Sequence, residues 1–367
     1  MRTRAISRGG HSGSRQVERL LIVRLGSMGD IIHALPAVRA LRAALPDAII
    51  GWIVEERWAE LLCASSEPRT GVRSPRRPLV DKLYVVDTKA WRRQAWSMQT
   101  WERVAAFTSD LRAGQYEVAI DLQGGVRSAI LARCSGAPTI YGFRQPRENV
   151  ASMFYTRQVI ARGEHVIQQN LSLAEEVVNN SLALLPVQFP CDESAEGKCE
   201  AWLRNESVHD FILLNPGAGW GAKQWPPEHY GEVARSLAGD GLQSVINFGP
   251  GEEKLANAVV VHSQGSAKAG SFSLAELISL TRRAKLFIGG DTGPMHLAAA
   301  LGVPVVALFG PTNPARNGPY GTKSIVLRHI SSRTSLSHRN VPDPGLQQIT
   351  VDAVVTAARQ LLGQRRE

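Results

Sequence analysis

The chain reads as an α/β protein of two doubly wound, Rossmann-like parallel-sheet domains facing one cleft. Short β-branched runs alternate with stretches of helical spacing from Arg19 to the C-terminus. The alternation stops once, at the polar stretch Leu185–Gly197, and then restarts. The 367 residues are too many for one small core and suit two domains of ordinary size. Strand–helix–strand alternation is joined by right-handed crossovers, which makes the sheets parallel.

The elements follow in order. Leu20–Arg24 is a strand, and Asp30–Ala44 carries apolar residues at helical spacing. Ile49–Glu55 and Leu83–Val86 are strands. Trp91, Ala95, Met98, Glu102 and Ala105 outline one helix, and Val118–Leu122 returns to strand. In the second series Phe211–Leu214 is a strand, Pro227–Ala238 a helix and Ser244–Asn247 a strand. Leu274–Arg282 is helical, Leu286–Ile288 a strand, Met295–Leu301 a helix, Val305–Phe309 a strand and Val351–Leu362 a helix. The resulting division is a basic tail over 1–18 without periodicity, a first domain over 19–186 and a second over 187–367, joined near 185–205.

Composition excludes several classes. With 44% hydrophobic and 20% charged residues the chain is neither disordered nor fibrous. The longest nearly apolar run, Ala298 to Phe309, is interrupted by Gly302 and Pro304 and is too short to span a bilayer. The basic start is followed only by Leu20–Val23 before Arg24, so no signal peptide is expected. Cys63, Cys134, Cys191 and Cys199 form no C-x-x-C pair and no zinc spacing, and read as reduced cytosolic thiols. The net charge of +9 is uneven: residues 1–186 hold 25 basic and 17 acidic side chains, residues 187–367 hold 17 and 16. The tail and the stretch 65–79 (Arg69, Arg73, Arg76 and Arg77 against Glu67) carry most of the excess. Both are expected to be mobile, suited to an acidic membrane surface or polymer, or simply solubilising.

Ligands of open parallel sheets bind beyond the carboxyl ends of the strands, so the chemistry belongs in strand-to-helix loops. In the first, Arg24-Leu25-Gly26-Ser27-Met28-Gly29-Asp30, Asp30 is either a helix N-cap or a general base held at the cleft. In the second, Asn215 to Pro226, three glycines and Lys223 suit phosphate, although Lys223 can equally be solvated. This loop is neither a P-loop nor a dinucleotide fingerprint, which argues against a nicotinamide-dependent oxidoreductase. In the third, Phe248 to Glu253, a carboxylate can bind ribose or merely favour a helix dipole. In the fourth, Gly289 to His296, Asp291 or Thr292 can cap a helix whose free N–H groups would face an anion, and His296 is either packed or ligand-facing.

These loops together resemble the ADP-heptose:lipopolysaccharide heptosyltransferases, the GT-B enzymes of glycosyltransferase family 9. The likeness spans roughly 20–362. It rests on Gly26-Ser27-Met28-Gly29-Asp30 with His33-Ala34-Leu35-Pro36, on Trp52 to Glu56, on Asp121-Leu122-Gln123-Gly124 with Arg127-Ser128, and on Arg147-Glu148 with Ala151 to Tyr155. Lys223-x-Trp225-Pro226, Asp291 to His296 and Phe309-Gly310-Pro311-Thr312 complete it. Within the family the chain is most similar to heptosyltransferase I, with heptosyltransferase II or a relative acting on another core acceptor as the alternative. It departs at Ala218 and Gly219, where type I enzymes often carry hydroxyl residues, and at 65–79, which resembles an insertion.

The resemblance implies inverting transfer of heptose from ADP-heptose to the Kdo of Kdo2-lipid A. In that scheme Asp30 is the base; Lys223, Thr292 and Gly293 hold the diphosphate; Asp291 and His296 shape that pocket; and Glu252 binds the ribose. Arg92, Arg93, Arg144 and Arg147, with Ser27, would hold the acceptor, guanidinium forks suiting carboxylates. No D-x-D pair is present, so no metal and no other cofactor are expected. A cytoplasmic enzyme peripheral to the inner membrane, without a nucleic-acid partner, is implied.

Overall fold

The computed structural model describes residues 17–94, 96–335 and 341–363. Residues 1–16 of the basic tail, and Ala95 of the expected single helix, lie outside the described residues.

The first half runs β1 (Arg19–Val23), α1 (Met28–Ala44), β2 (Ile49–Glu55), β3 (Lys82–Val86), α2 (Thr88–Arg93), α3 (Met98–Ala113), β4 (Val118–Asp121), α4 (Val126–Cys134), β5 (Thr139–Phe143), β6 (Arg157–Val159) and α5 (Val166–Val178). The second runs α6 (Glu193–Asn205), β7 (Phe211–Asn215), α7 (Pro227–Ala238), β8 (Gln243–Asn247), α8 (Glu253–His262), β9 (Ala267–Gly270), α9 (Leu274–Arg283), β10 (Leu286–Gly290), α10 (Gly293–Ala300), β11 (Val305–Phe309), α11 (Pro314–Asn317), β12 (Ser324–Arg328) and α12 (Val351–Leu362). The strands form two six-stranded sheets, β3-β2-β1-β4-β5-β6 and β12-β11-β10-β7-β8-β9. Counted from its own first strand, each sheet has the order 3-2-1-4-5-6, and every pairing is parallel. This is the doubly wound order, present twice.

The central strands are buried on both faces, which is why Leu20–Val23 of β1, Phe211–Leu214 of β7, and all of β10 and β11 read as apolar runs. Helix α1 is also buried nearly all round, thirteen of its seventeen residues being inaccessible. It packs on α5 of its own half and on α10 of the other, so it forms the seam between the sheets.

Two expectations are corrected. The single helix through Trp91 and Ala105 is two, because Ser97 takes the extended N-cap conformation and starts α3 anew. The stretch 65–79 is not a loose cationic loop. Arg69 pairs with Glu56, Arg73 with Asp81 and Arg76 with Glu193, while Arg77 is buried and donates to the Asp81 and Val72 carbonyls. Its positive charge is used internally, clamping the chain where it crosses toward α6.

Candidate active site

In each sheet the strand order reverses beside the first strand, between β1 and β4 and between β7 and β10. Loops leaving the carboxyl ends of those pairs diverge and open a crevice. The four loops singled out in the sequence leave β1, β7, β8 and β10.

After β1, Arg24 is buried and its guanidinium spans the crevice floor. It donates to the Leu122 carbonyl at the end of β4 and pairs with Asp30 at 2.7 Å. Asp30 is not the N-cap. Ser27 is, and Asp30 at the third helical position reaches back to accept from the Ser27 N–H and hydroxyl, both at 3.0 Å. Burial alone would raise the Asp30 carboxyl, but Arg24 and the Ser27 donors outweigh it and hold the group below the usual carboxylate range. The carboxylate is therefore ionised at neutral pH, yet 40% of its side chain stays exposed to the cleft.

After β4, the buried Asp121 carboxylate accepts from Ser128, Tyr155 and the N–H groups of Gln123 and Gly124. Four donors shape this turn, although burial still pushes the Asp121 carboxyl upward. Gln123 in turn accepts from the Leu25 N–H at 2.8 Å, which ties the β1 and β4 loops together.

On the other side of the seam Lys223 donates to the Asp291 carboxylate at 2.7 Å and to the Asp291 carbonyl at 3.1 Å, and sits 4.6 Å over the Trp220 ring. Two of its three N–H donors are thus used and one is left for a ligand. The other Asp291 oxygen lies 3.2 Å from His296 Nε2. Burial would raise the Asp291 carboxyl, but His296 and Lys223 hold it well below the carboxylate range. His296 Nδ1 lies 3.1 Å from His33 Nε2 on α1, so a buried polar chain Lys223–Asp291–His296–His33 links the two halves.

Thr292 takes the N-cap position of α10 without a side-chain cap, and Gly293 opens the helix, so its N–H has no acceptor within it. Gly293 is also a packing necessity, since a Cβ there would lie 2.5 Å from the Met28 sulfur. Glu252 precedes α8 and accepts from the Gly249 N–H at 2.8 Å, its carboxylate lying flat against Gly217. Arg92 and Arg93 on α2, and Arg144 and Arg147 after β5, are exposed and have no acidic partner among the described residues. They stand on the same rim as Asp30 but outside its hydrogen-bonded cluster.

Sequence reading assigned no role to Arg24, His33 or Asp121, though each stood inside a quoted motif. The available signal was position: a buried cation directly after the first strand, and a histidine one turn beyond Asp30 on a helix whose spacing leaves no solvent face.

Residues 104–343 match the family model for glycosyltransferase family 9 (heptosyltransferase). Lipopolysaccharide heptosyltransferase 1 of Pseudomonas aeruginosa is 29% identical over 319 residues, 84% of this chain and 83% of its own. Lipopolysaccharide heptosyltransferase 3 of Escherichia coli K12 is 26% identical over 351 residues, 91% of this chain and 95% of its own. The solved structure of the E. coli heptosyltransferase WaaC with ADP superposes with a TM-score of 0.74 at 26% identity, covering 94% of this chain and 99% of that one. The chain belongs to glycosyltransferase family 9, the heptosyltransferases, and has their GT-B fold.

Proposed function

We propose that the enzyme transfers heptose from ADP-heptose to the Kdo of Kdo2-lipid A, with inversion and with Asp30 as the base. The observation that carries this reading is the placement of Asp30. An ionised carboxylate stands open to the cleft at one switch point, and the Lys223–Asp291–His296 cluster stands at the other. Transfer through an oxocarbenium-like state needs a base on one face of the sugar and a stabilised leaving group on the other.

The first half, 19–186, takes the acceptor, and the second, 187–367, takes the ADP-sugar. Asp30 accepts the proton of the attacking Kdo 5-hydroxyl as the glycosidic bond to phosphate breaks. Its low basicity suits late transfer, when the hydroxyl is acidified by bond formation. Arg24 and Ser27 hold the carboxylate in place. The remaining Lys223 donor and the Gly293 N–H, with Thr292, take the charge that builds on the departing ADP. Asp291 and His296 position Lys223, and Glu252 turns its second oxygen to the ribose. Arg92, Arg93, Arg144 and Arg147 hold the acceptor carboxylates. Lysine and helix N–H groups take the part a divalent cation plays elsewhere, so transfer proceeds in EDTA.

Among the described residues no helix is long and apolar enough to cross a membrane, and the reading places the enzyme peripherally on the cytoplasmic face of the inner membrane.

Mass spectrometry of deacylated Kdo2-lipid A, incubated with the protein and ADP-heptose without added metal, tests the assignment. Gain of one heptose with release of ADP is expected. Donor binding without gain would move the acceptor to an already heptosylated core. Absence of donor binding would defeat the proposal.

A further inference from the structure

The rim of the first sheet carries large apolar side chains that cover nothing. Trp96, between α2 and α3, is 99% exposed, Met98 76% and Trp101 64%. Met98 and Trp101 are three residues apart and share one face of α3. Of the sixteen residues of α3 only Thr100 and Leu111 are buried, so the helix stands out from the body. Its neighbour Trp91 behaves differently, packing edge-on against Phe107 at 5.5 Å. Basic side chains surround the exposed indoles. Lys89, Arg92, Arg93 and Arg103 are exposed between Thr88 and Val104, and Glu102 is the one acidic residue there.

A second lip repeats the pattern. After β5, Val150 and Met153 are exposed, Met153 at 82%, beside the exposed Arg144 and Arg147. All strands of the sheet are parallel, so both lips project from the same edge as Asp30. The order β3-β2-β1-β4-β5-β6 puts one lip beyond β3 and the other beyond β5, with the Asp30 loop between them.

We infer that these two lips seat the enzyme on an anionic phospholipid bilayer, with Trp96, Met98 and Trp101 entering the interface and Lys89 and Arg103 facing the headgroups, while Arg92, Arg93, Arg144 and Arg147 stay with the acceptor. Amphipathic indoles flanked by cations are the side chains that favour that boundary. The cations expected to serve this purpose at 65–79 are paired with carboxylates or bonded to backbone carbonyls, whereas those of the rim have no acidic partner among the described residues. The surface rests on the proposed reaction for its purpose: an acceptor anchored in the membrane would rise between the lips to Asp30.

Flotation with vesicles tests it without donor or turnover. The full-length protein is expected to float with vesicles of phosphatidylethanolamine and phosphatidylglycerol, and far less with phosphatidylcholine alone. The triple variant W96S/M98S/W101S should bind the anionic vesicles about tenfold less. It should keep the parent's melting temperature and its rate on deacylated, water-soluble acceptor. Equal flotation of variant and parent would overturn the inference, as would loss of flotation on deleting residues 1–16 alone. A triple variant that breaks a dimer in sedimentation, with vesicle binding unchanged, would assign the face to a second copy instead. Flotation by these residues without any heptose transfer would leave the surface standing and remove the reaction.

Discussion

His33 Nε2 and His296 Nδ1 meet at 3.1 Å inside the seam, the one on α1 of the first half and the other on α10 of the second. If His296 donates its Nε2–H to Asp291, its Nδ1 is left to accept the Nε2–H of His33, which fixes the hydrogen-bonding sense of both rings. Burial, followed by the neighbouring His296 and His165 rings, pushes the His33 imidazole well below its ordinary value.

That depression has a sign. The unfolded chain protonates His33 below about pH 6.5, whereas the folded protein resists until much lower. Stability is full above that value and falls on acidification at roughly 1.4 kcal/mol per pH unit. His165, also lowered by burial, adds to the slope. Urea midpoints should drop between about pH 7 and about pH 5.5, and His33→Gln should flatten the drop. An unchanged slope in the variant would remove His33 from the effect.

Asp30 performs two tasks that substitution can separate. It supports the first turn of α1 through Ser27 and balances the buried Arg24. Asp30→Asn keeps an acceptor for Ser27, while Asp30→Ala keeps none. Both should lower turnover by about 10²-fold or more if the carboxylate is the base, with ADP binding intact. The alanine variant should also lose about 1 kcal/mol of stability. Near-parent turnover in either variant would reduce Asp30 to its capping role.

The proposed reaction gives the donor diphosphate to Lys223, whose ammonium Asp291 already holds. Lys223→Met should therefore act twice. ADP affinity should fall by roughly 10- to 100-fold for loss of a charge-assisted hydrogen bond. Asp291, left with His296 alone in a buried site, should also become easier to protonate. Calorimetric titration of ADP checks the first effect, and unchanged affinity would end the phosphate role of Lys223.

Much of this architecture was legible because the buried parallel strands and α1 must be apolar throughout. Ile49–Glu55, Pro227–Ala238 and Val351–Leu362 were bounded to the residue. The elements without a sequence signal are those the core does not dictate. Strand β9 reads Ala-Lys-Ala-Gly at a sheet edge, β6 has three residues, and β12 is only partly covered. In the site, Asp30, Lys223, Asp291 and His296 could be named because they punctuate strand-to-helix turns. Their pairing was not legible, since the contact between His33 and His296 joins residues 263 positions apart and depends on how the two sheets face each other. The same holds for 65–79: four arginines in a row of loop residues look solvated until their partners at 56, 81 and 193 are brought beside them.

The seam itself is testable through Gly29. In an exposed helix, glycine to alanine gains up to about 1 kcal/mol. Here the added Cβ would lie 2.6 Å from His296 Cδ2, inside contact distance. The ring cannot simply swing aside, because Asp291 holds one nitrogen and His33 the other. Gly29→Ala should therefore cost about 1–3 kcal/mol, the usual toll of overpacking. It should also slow turnover, since displacing the ring drags Asp291 and hence Lys223. Removing the ring should remove the clash, so Gly29→Ala in a His296→Ala background is expected to cost far less than in the parent. Denaturant midpoints of the four proteins in that cycle measure the coupling. Additive costs would mean that the seam has room, and that the two halves are not held in register by this contact.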